Sequence, residues 1–229
     1  MANHLDLEEQ EQLDRIKHFW SSWGNLITIV LALVVGGFSA WNFYNYWKNR
    51  QSFQAAALLE VIDYSIANKD FVRADEVFLD IRNKYPKTIQ SIQAGFLVAK
   101  YSYDNKNDEN AKSALTWIIE NGSDIGYKAI ANLRFINILI EQKKYEEAFI
   151  LISNAFPFEF DALMDDRKGD INFLQEKNKN AILNYLNSYQ KIDKNIDYKK
   201  LLEFKLNSLG LASSLIVKND SASLAEVKQ

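Results

Sequence analysis

The chain has no cysteine, two histidines and two prolines among its 229 residues. Without cysteine it forms no disulfide, no thiolate metal site and no cysteine nucleophile. Both histidines, His4 and His18, precede a long uncharged run, so any catalytic site in the later residues works without imidazole or thiol. Eight glycines are present, but none forms a phosphate-cradling loop or a nucleophile elbow. Scarce proline removes the main obstacle to long helices. The formal charge of −3 divides into −3 for residues 1–18, +2 from Lys48 and Arg50, and −2 for the remainder. With no basic patch, nucleic acid is not an expected partner.

What is present is an uncharged run from Phe19 to Trp47. Its apolar heart, Leu26 to Tyr46, reaches roughly 30 Å as a helix, the thickness of a hydrocarbon core. Trp20 and Trp23 stand before that heart, and Trp41, Tyr44, Tyr46 and Trp47 close it, where amphipathic rings favour the headgroup region. The expectation is an acidic leader over 1–22 and a transmembrane helix over 23–47 in contact with the lipid bilayer. A cleaved signal peptide is the alternative, with Gly37 and Ser39 as a small-x-small site. It conflicts with the acidic leader, because signal n-regions are short and basic. Arg15 and Lys17 before the span balance Lys48 and Arg50 after it, so the positive-inside rule leaves the orientation open. Within the span Gly36, Gly37, Ser39 and Ala40 form a small-residue face suited to close approach of another transmembrane helix.

About 180 residues follow, enough for one domain with its own core. Apolar residues recur there at intervals of three and four, the mark of helices, and strand patterns are missing. Polar clusters at Asn68 to Asp70, Tyr85 to Lys87, Asp104 to Glu109, Asn121 to Gly126, Gln142 to Lys144, Glu176 to Asn180 and Asp193 to Asp197 divide the helices. The domain is expected over 48–212, with a fraying tail over 213–229.

The helices align on a repeat: a polar turn, often an aromatic residue, then alanine. Ala74, Ala111, Ala148 and Ala181 are spaced 37, 37 and 33 residues apart. That approaches the roughly 34-residue period of tetratricopeptide repeats, each a helical hairpin. A small residue early in the second helix lets the pair approach, and larger apolar residues four and seven positions later fill the same face. Phe78 and Ile81, Leu115 and Ile118, and Ile152 and Ala155 occupy those places; Tyr185 and Ser188 make the last unit the weakest. The position twelve before each alanine holds Ile62, Ala99, Ile136 and Gly169, small in only two units. Pro86 and Pro157 fall after second helices, where proline stops continuation. The alternative is an irregular bundle whose alanines recur by chance. The fold class is therefore all-α: one N-terminal transmembrane helix followed by a tetratricopeptide-like helical-hairpin solenoid.

In such an array the first helices line the concave face, and residues eleven and eight before each alanine point into it. These are Asp63 and Ile66, Lys100 and Tyr103, Asn137 and Ile140, and Asp170 and Phe173, each pair joining a polar to an apolar or aromatic group. The set is a candidate partner-binding face for unfolded chain or a partner helix. Asp161, Asp165, Asp166 and Asp170 share one helix face, but Arg167 and Lys168 interrupt them and no calcium loop surrounds them, so they read as a solvated surface. Lys191, Lys194, Lys199 and Lys200, mixed with Asp193, Asp197 and Glu203, read the same way.

These features in this order resemble the YfgM-type ancillary subunit of the bacterial Sec translocon. They are an acidic leader running into Phe19 and Trp20, a Gly-Asn turn at Gly24 and Asn25, and a glycine-bearing span. The aromatic exit from Trp41 to Trp47 and a degenerate hairpin array follow, with Ala131-Asn132-Leu133-Arg134 opening a central repeat. The resemblance implies a single-pass inner-membrane protein with its N-terminus in the cytoplasm and its repeats in the periplasm. It also implies association with the Sec translocon and with a membrane-anchored periplasmic chaperone of the peptidyl-prolyl isomerase type. The implied function is a protein-binding module that assists chaperoning of translocating, unfolded polypeptides. No cofactor, metal or catalytic residue is implied, so the chain is expected not to be an enzyme. The alternative is a scaffold for another envelope membrane complex, with the repeats serving subunit contacts.

Overall fold

Residues 7–153, 156–193 and 197–211 are described by the computed structural model of the chain. Ala155, Lys194, the leader's first six residues and the tail expected to fray lie outside them. The chain divides into two units between Gln54 and Ala55.

Helix α1, Leu7–Ala67, runs through that boundary. In the first unit its large apolar side chains face outward: Leu33, Phe38 and Phe43 are 71%, 68% and 72% exposed. A stripe of that size in water marks a surface meant for another apolar medium. The helix is long and apolar enough to cross a membrane, with a mean hydropathy of 2.0 and none of its most apolar stretch buried. The turn expected at Gly24 and Asn25 does not form; both residues are helical. One glycine costs a helix interior only about 1 kcal/mol, and here the Thr28 hydroxyl bonds the Gly24 carbonyl at 2.7 Å.

In the second unit α1 is followed by α2 (Phe71–Lys84), α3 (Ile89–Asp104), α4 (Asp108–Asn121), α5 (Ile125–Glu141) and α6 (Tyr145–Ile152). A short 3-10 turn, Phe158–Phe160, leads to α7 (Asp161–Leu174), α8 (Asn178–Lys191) and α9 (Tyr198–Ser208). No strand occurs among the described residues. From α2 onward, each helix packs chiefly on its neighbours in the chain.

Each repeat alanine is the fourth residue of its helix, in α2, α4, α6 and α8, and all four are 0% exposed. Four positions on, Phe78, Leu115, Ile152 and Tyr185 are buried, and seven positions on so are Ile81, Ile118 and Ser188. Burying one such large apolar side chain stabilises the fold by roughly 1.5–3 kcal/mol. The position twelve before each alanine is buried in all four units, whether it holds Ile62, Ala99, Ile136 or Gly169. Tyr185 and Ser188 thus do not leave a loose last unit. The Tyr185 ring lies on Gly169, where an added Cβ would fall 2.4 Å from ring carbons. The large ring on α8 is accommodated by the absence of a side chain on α7.

Four turns close the hairpins in one way. Lys69, Lys106, Lys143 and Glu176, each five residues before a repeat alanine, have φ between 60° and 64°. The next residue's N–H returns to the first helix: Asp70 to Ser65, Asn107 to Ser102, Lys144 to Leu139 and Lys177 to Asn172, each at 2.8 Å. This is the Schellman ending, with a left-handed residue where glycine is usual. Asp70 and Asn107 then cap α2 and α4 by accepting the N–H of Arg73 and Asn110.

Helix α6 ends at Ile152, and Pro157, with φ −57°, stands at the head of the 3-10 turn. One expectation fails locally. The stretch Ala131 to Arg134 lies in the middle of α5 and does not open it, because Asp124 caps the helix earlier by accepting the Tyr127 N–H at 3.0 Å.

Candidate functional site

The repeat geometry brings three of the eight expected concave residues, Lys100, Tyr103 and Asn137, to one groove between α3 and α5. Its floor is apolar, built from Ala99, Leu115 and Ile138, which are 3%, 1% and 4% exposed. Arg134 and Glu141 complete the lining, and the space holds about 310 Å³. The Tyr103 hydroxyl donates across the groove to the Glu141 carboxylate, 2.6 and 2.7 Å from its two oxygens. That bond, aided by desolvation, pushes the Tyr103 hydroxyl up to about 12. The Arg134 guanidinium sits 4.8 Å from the Phe96 ring centre, a cation–π contact on the same side. The side-chain carbonyl of Asn137 is buried with no hydrogen-bond partner among the described residues.

The other five lie elsewhere. Asp63 is exposed on α1, and Ile66 packs half-buried against the core of the first hairpins. Ile140 is buried within the cluster formed by α5, α6 and α7. Phe173 is 46% exposed near the end of α7. Asp170 accepts from Lys205 at 2.6 Å, from Arg167 at 2.7 Å and from the Tyr185 hydroxyl at 2.8 Å. In the first unit Gly36, Gly37, Ser39 and Ala40 are exposed, and space around the two glycines is open to 4 Å.

Asp170 belongs to a buried ionic cluster, in contrast to the solvated surface expected from its spacing. Asp166 is 0% exposed and accepts from the Tyr198 hydroxyl at 2.6 Å and from Lys205 at 2.7 Å. Asp165, 7% exposed, pairs with Lys191 at 2.7 Å. Lys199, also expected at the surface, is 6% exposed with its ammonium 4.0 Å from the Tyr189 ring centre. Burial holds the Tyr185 and Tyr198 hydroxyls well above their ordinary range, reinforced by the carboxylates of Asp170 and Asp166 respectively. Cations already satisfy these carboxylates, so the cluster ties α7, α8 and α9 together and offers no open ligand position. The partners lie far along the chain, which is why acidic spacing on α7 alone did not reveal them.

Comparison with known proteins adds to this picture. A family model described as a tetratricopeptide repeat-like domain matches residues 17–211. The chain is 31% identical over 212 residues to an ancillary SecYEG translocon subunit of Neisseria gonorrhoeae, covering 91% of this chain and 100% of that protein. Proteins of the same description are 23% identical in Escherichia coli K12, over 89% of this chain and 97% of theirs, and 21% identical in Aggregatibacter actinomycetemcomitans, over 89% and 98%. No solved structure matches the chain at significant similarity.

Proposed function

The chain belongs to the tetratricopeptide repeat-like family of ancillary SecYEG translocon subunits, and from that premise we propose that it is a membrane-anchored binding protein of the Sec export site. Its N-terminus lies in the cytoplasm, α1 crosses the inner membrane once, and the hairpins stand in the periplasm. There they bind translocating polypeptides and a membrane-anchored chaperone of the peptidyl-prolyl isomerase type. Binding, without covalent chemistry, is the whole of the activity.

The observation that carries this reading is the extent of the match: one relative is covered over its whole length, and the family model over residues 17–211 takes in both the apolar helix and the repeats of this chain. Two features support it. The outward apolar side chains of the first unit suit lipid. The groove between α3 and α5 joins an apolar floor to polar walls, as polypeptide recognition requires. Anchoring raises the effective concentration of the repeats near membrane partners, so weak contacts suffice.

The test is topology combined with crosslinking. An export-dependent reporter after Gln229 is expected to be active, and a photoreactive residue at Phe173 or Tyr103 is expected to capture many exported chains. A reporter active only in the cytoplasm contradicts the reading. Capture of one or two fixed envelope proteins favours an assembly scaffold instead. Replacing Gly36 and Ala40 with leucine is expected to reduce co-isolation with SecYEG if that face meets a translocon helix, and unchanged recovery removes the face from the proposal.

A further inference from the structure

We infer that the groove between α3 and α5 accepts an extended polypeptide segment bearing a carboxylate side chain, with Lys100 and Arg134 receiving the carboxylate and the Asn137 amide a main-chain N–H. The inference rests on the proposed polypeptide-binding role and narrows the occupant by charge and conformation.

Charge comes first. Lys100 and Arg134 line the groove, and neither forms an ion pair among the described residues. On α7, α8 and α9 the cations Arg167, Lys191 and Lys205 are all paired. Glu141, the one carboxylate of the lining, already takes both of its short contacts from Tyr103. The lining therefore carries two positive charges without ion-pair partners against one negative charge, and is net positive. Arg134 is further held in place by its position over Phe96, so it is ordered before a ligand arrives, which lowers the cost of using it.

Conformation comes second. The Asn137 carbonyl lines the groove as a buried acceptor without a donor. Buried acceptors are nearly always satisfied, so an orphan one in an open groove needs an explanation. An extended chain supplies main-chain N–H groups that no internal helix ladder has consumed, whereas the middle of a helix supplies none. A space of about 310 Å³ lies at the lower end of ligand sites, enough for a short stretch of chain. Ala99, Leu115 and Ile138 then receive an apolar side chain next to the carboxylate.

The experiment uses the full chain in lipid nanodiscs and two fluorescein-labelled octapeptides, one alternating leucine with aspartate and the other leucine with lysine. Anisotropy is expected to show the aspartate peptide binding roughly tenfold tighter, with the gap narrowing at high salt. The double variant K100E/R134E, both exposed positions, is expected to reverse the preference while far-ultraviolet circular dichroism stays unchanged. N137A is expected to weaken both peptides about three- to tenfold without altering their order. Equal affinity for the two peptides overturns the inference, as does a preference that survives K100E/R134E. A chain that binds neither peptide yet still co-isolates with SecYEG overturns it while leaving the proposed function intact. The stated selectivity without that co-isolation supports it and counts against the proposed docking.

Discussion

The hairpin of α3 and α4 and the hairpin of α7 and α8 solve one packing problem with different chemistry. In the former, Ala99, Ala111, Leu115 and Ile118 form an aliphatic seam. In the latter, Gly169, Ala181, Tyr185 and Ser188 hold the same positions, and an aromatic ring replaces a branched chain. The ring brings a hydroxyl that needs a partner when buried. Asp170 supplies it, and Lys205 and Arg167 then offset the carboxylate. One enlarged side chain thus entails a glycine opposite, an acid beside it, one base on the acid's own helix and another on α9. A repeat that looks degenerate by residue type is intact by position.

The contrast breaks most sharply at Asp166. Asp166→Ala leaves Tyr198 without its acceptor and removes one of the two carboxylates that hold Lys205. It should cost about 3–5 kcal/mol, read as a lower urea midpoint and as loss of hydrogen-exchange protection in α7 to α9 with α3 and α4 unaffected. Tyr198→Phe removes only the hydroxyl and should cost about 1.5–3 kcal/mol at neutral pH, the range for a bond to a charged acceptor. Its pH dependence carries a sign. The folded state raises the Tyr198 hydroxyl, so this contribution is complete below the ordinary tyrosine value of about 10. It is lost as pH climbs through the folded value, because the unfolded chain ionises first. The stabilities of Tyr198→Phe and the parent should therefore converge above about pH 10, and a constant gap would exclude the linkage.

Gly169→Ala drives a methyl group into the Tyr185 ring and should cost about 1–3 kcal/mol by thermal unfolding. Combining it with Tyr185→Leu should recover much of that loss, since Leu115 occupies the same position in the second hairpin. The smallest effect runs the other way. Lys106→Gly should stabilise the second hairpin by about 1 kcal/mol, because a left-handed backbone penalises side chains other than glycine. A neutral or destabilising result would mean that the lysine chain contributes something beyond its backbone angle.

The architecture was legible because it depends on side chains close together in sequence. The repeat alanines mark the fourth residue of every second helix, and the polar clusters fall on the turns joining α1 to α2, α3 to α4, α5 to α6 and α7 to α8. The left-handed turns were not read, since lysine and glutamate stand where glycine would have signalled them, yet counting five residues back from each alanine finds all four. Of the groove, Lys100, Tyr103 and Asn137 followed from the period. Glu141 was not singled out and Arg134 only as the end of the Ala131 stretch, because their meeting with α3 depends on how successive hairpins stack. The ionic cluster was misread for the same reason: Tyr198 and Lys205 lie more than thirty residues from Asp166.

Packing that runs chiefly between chain neighbours also sets how the repeats respond to tension. No strand ladder locks distant segments across the described fold, so a pull on the ends should extract hairpins one after another in small force steps. A polypeptide being drawn past such a stack would meet a yielding spring, able to lengthen under load and shorten again when the load is removed.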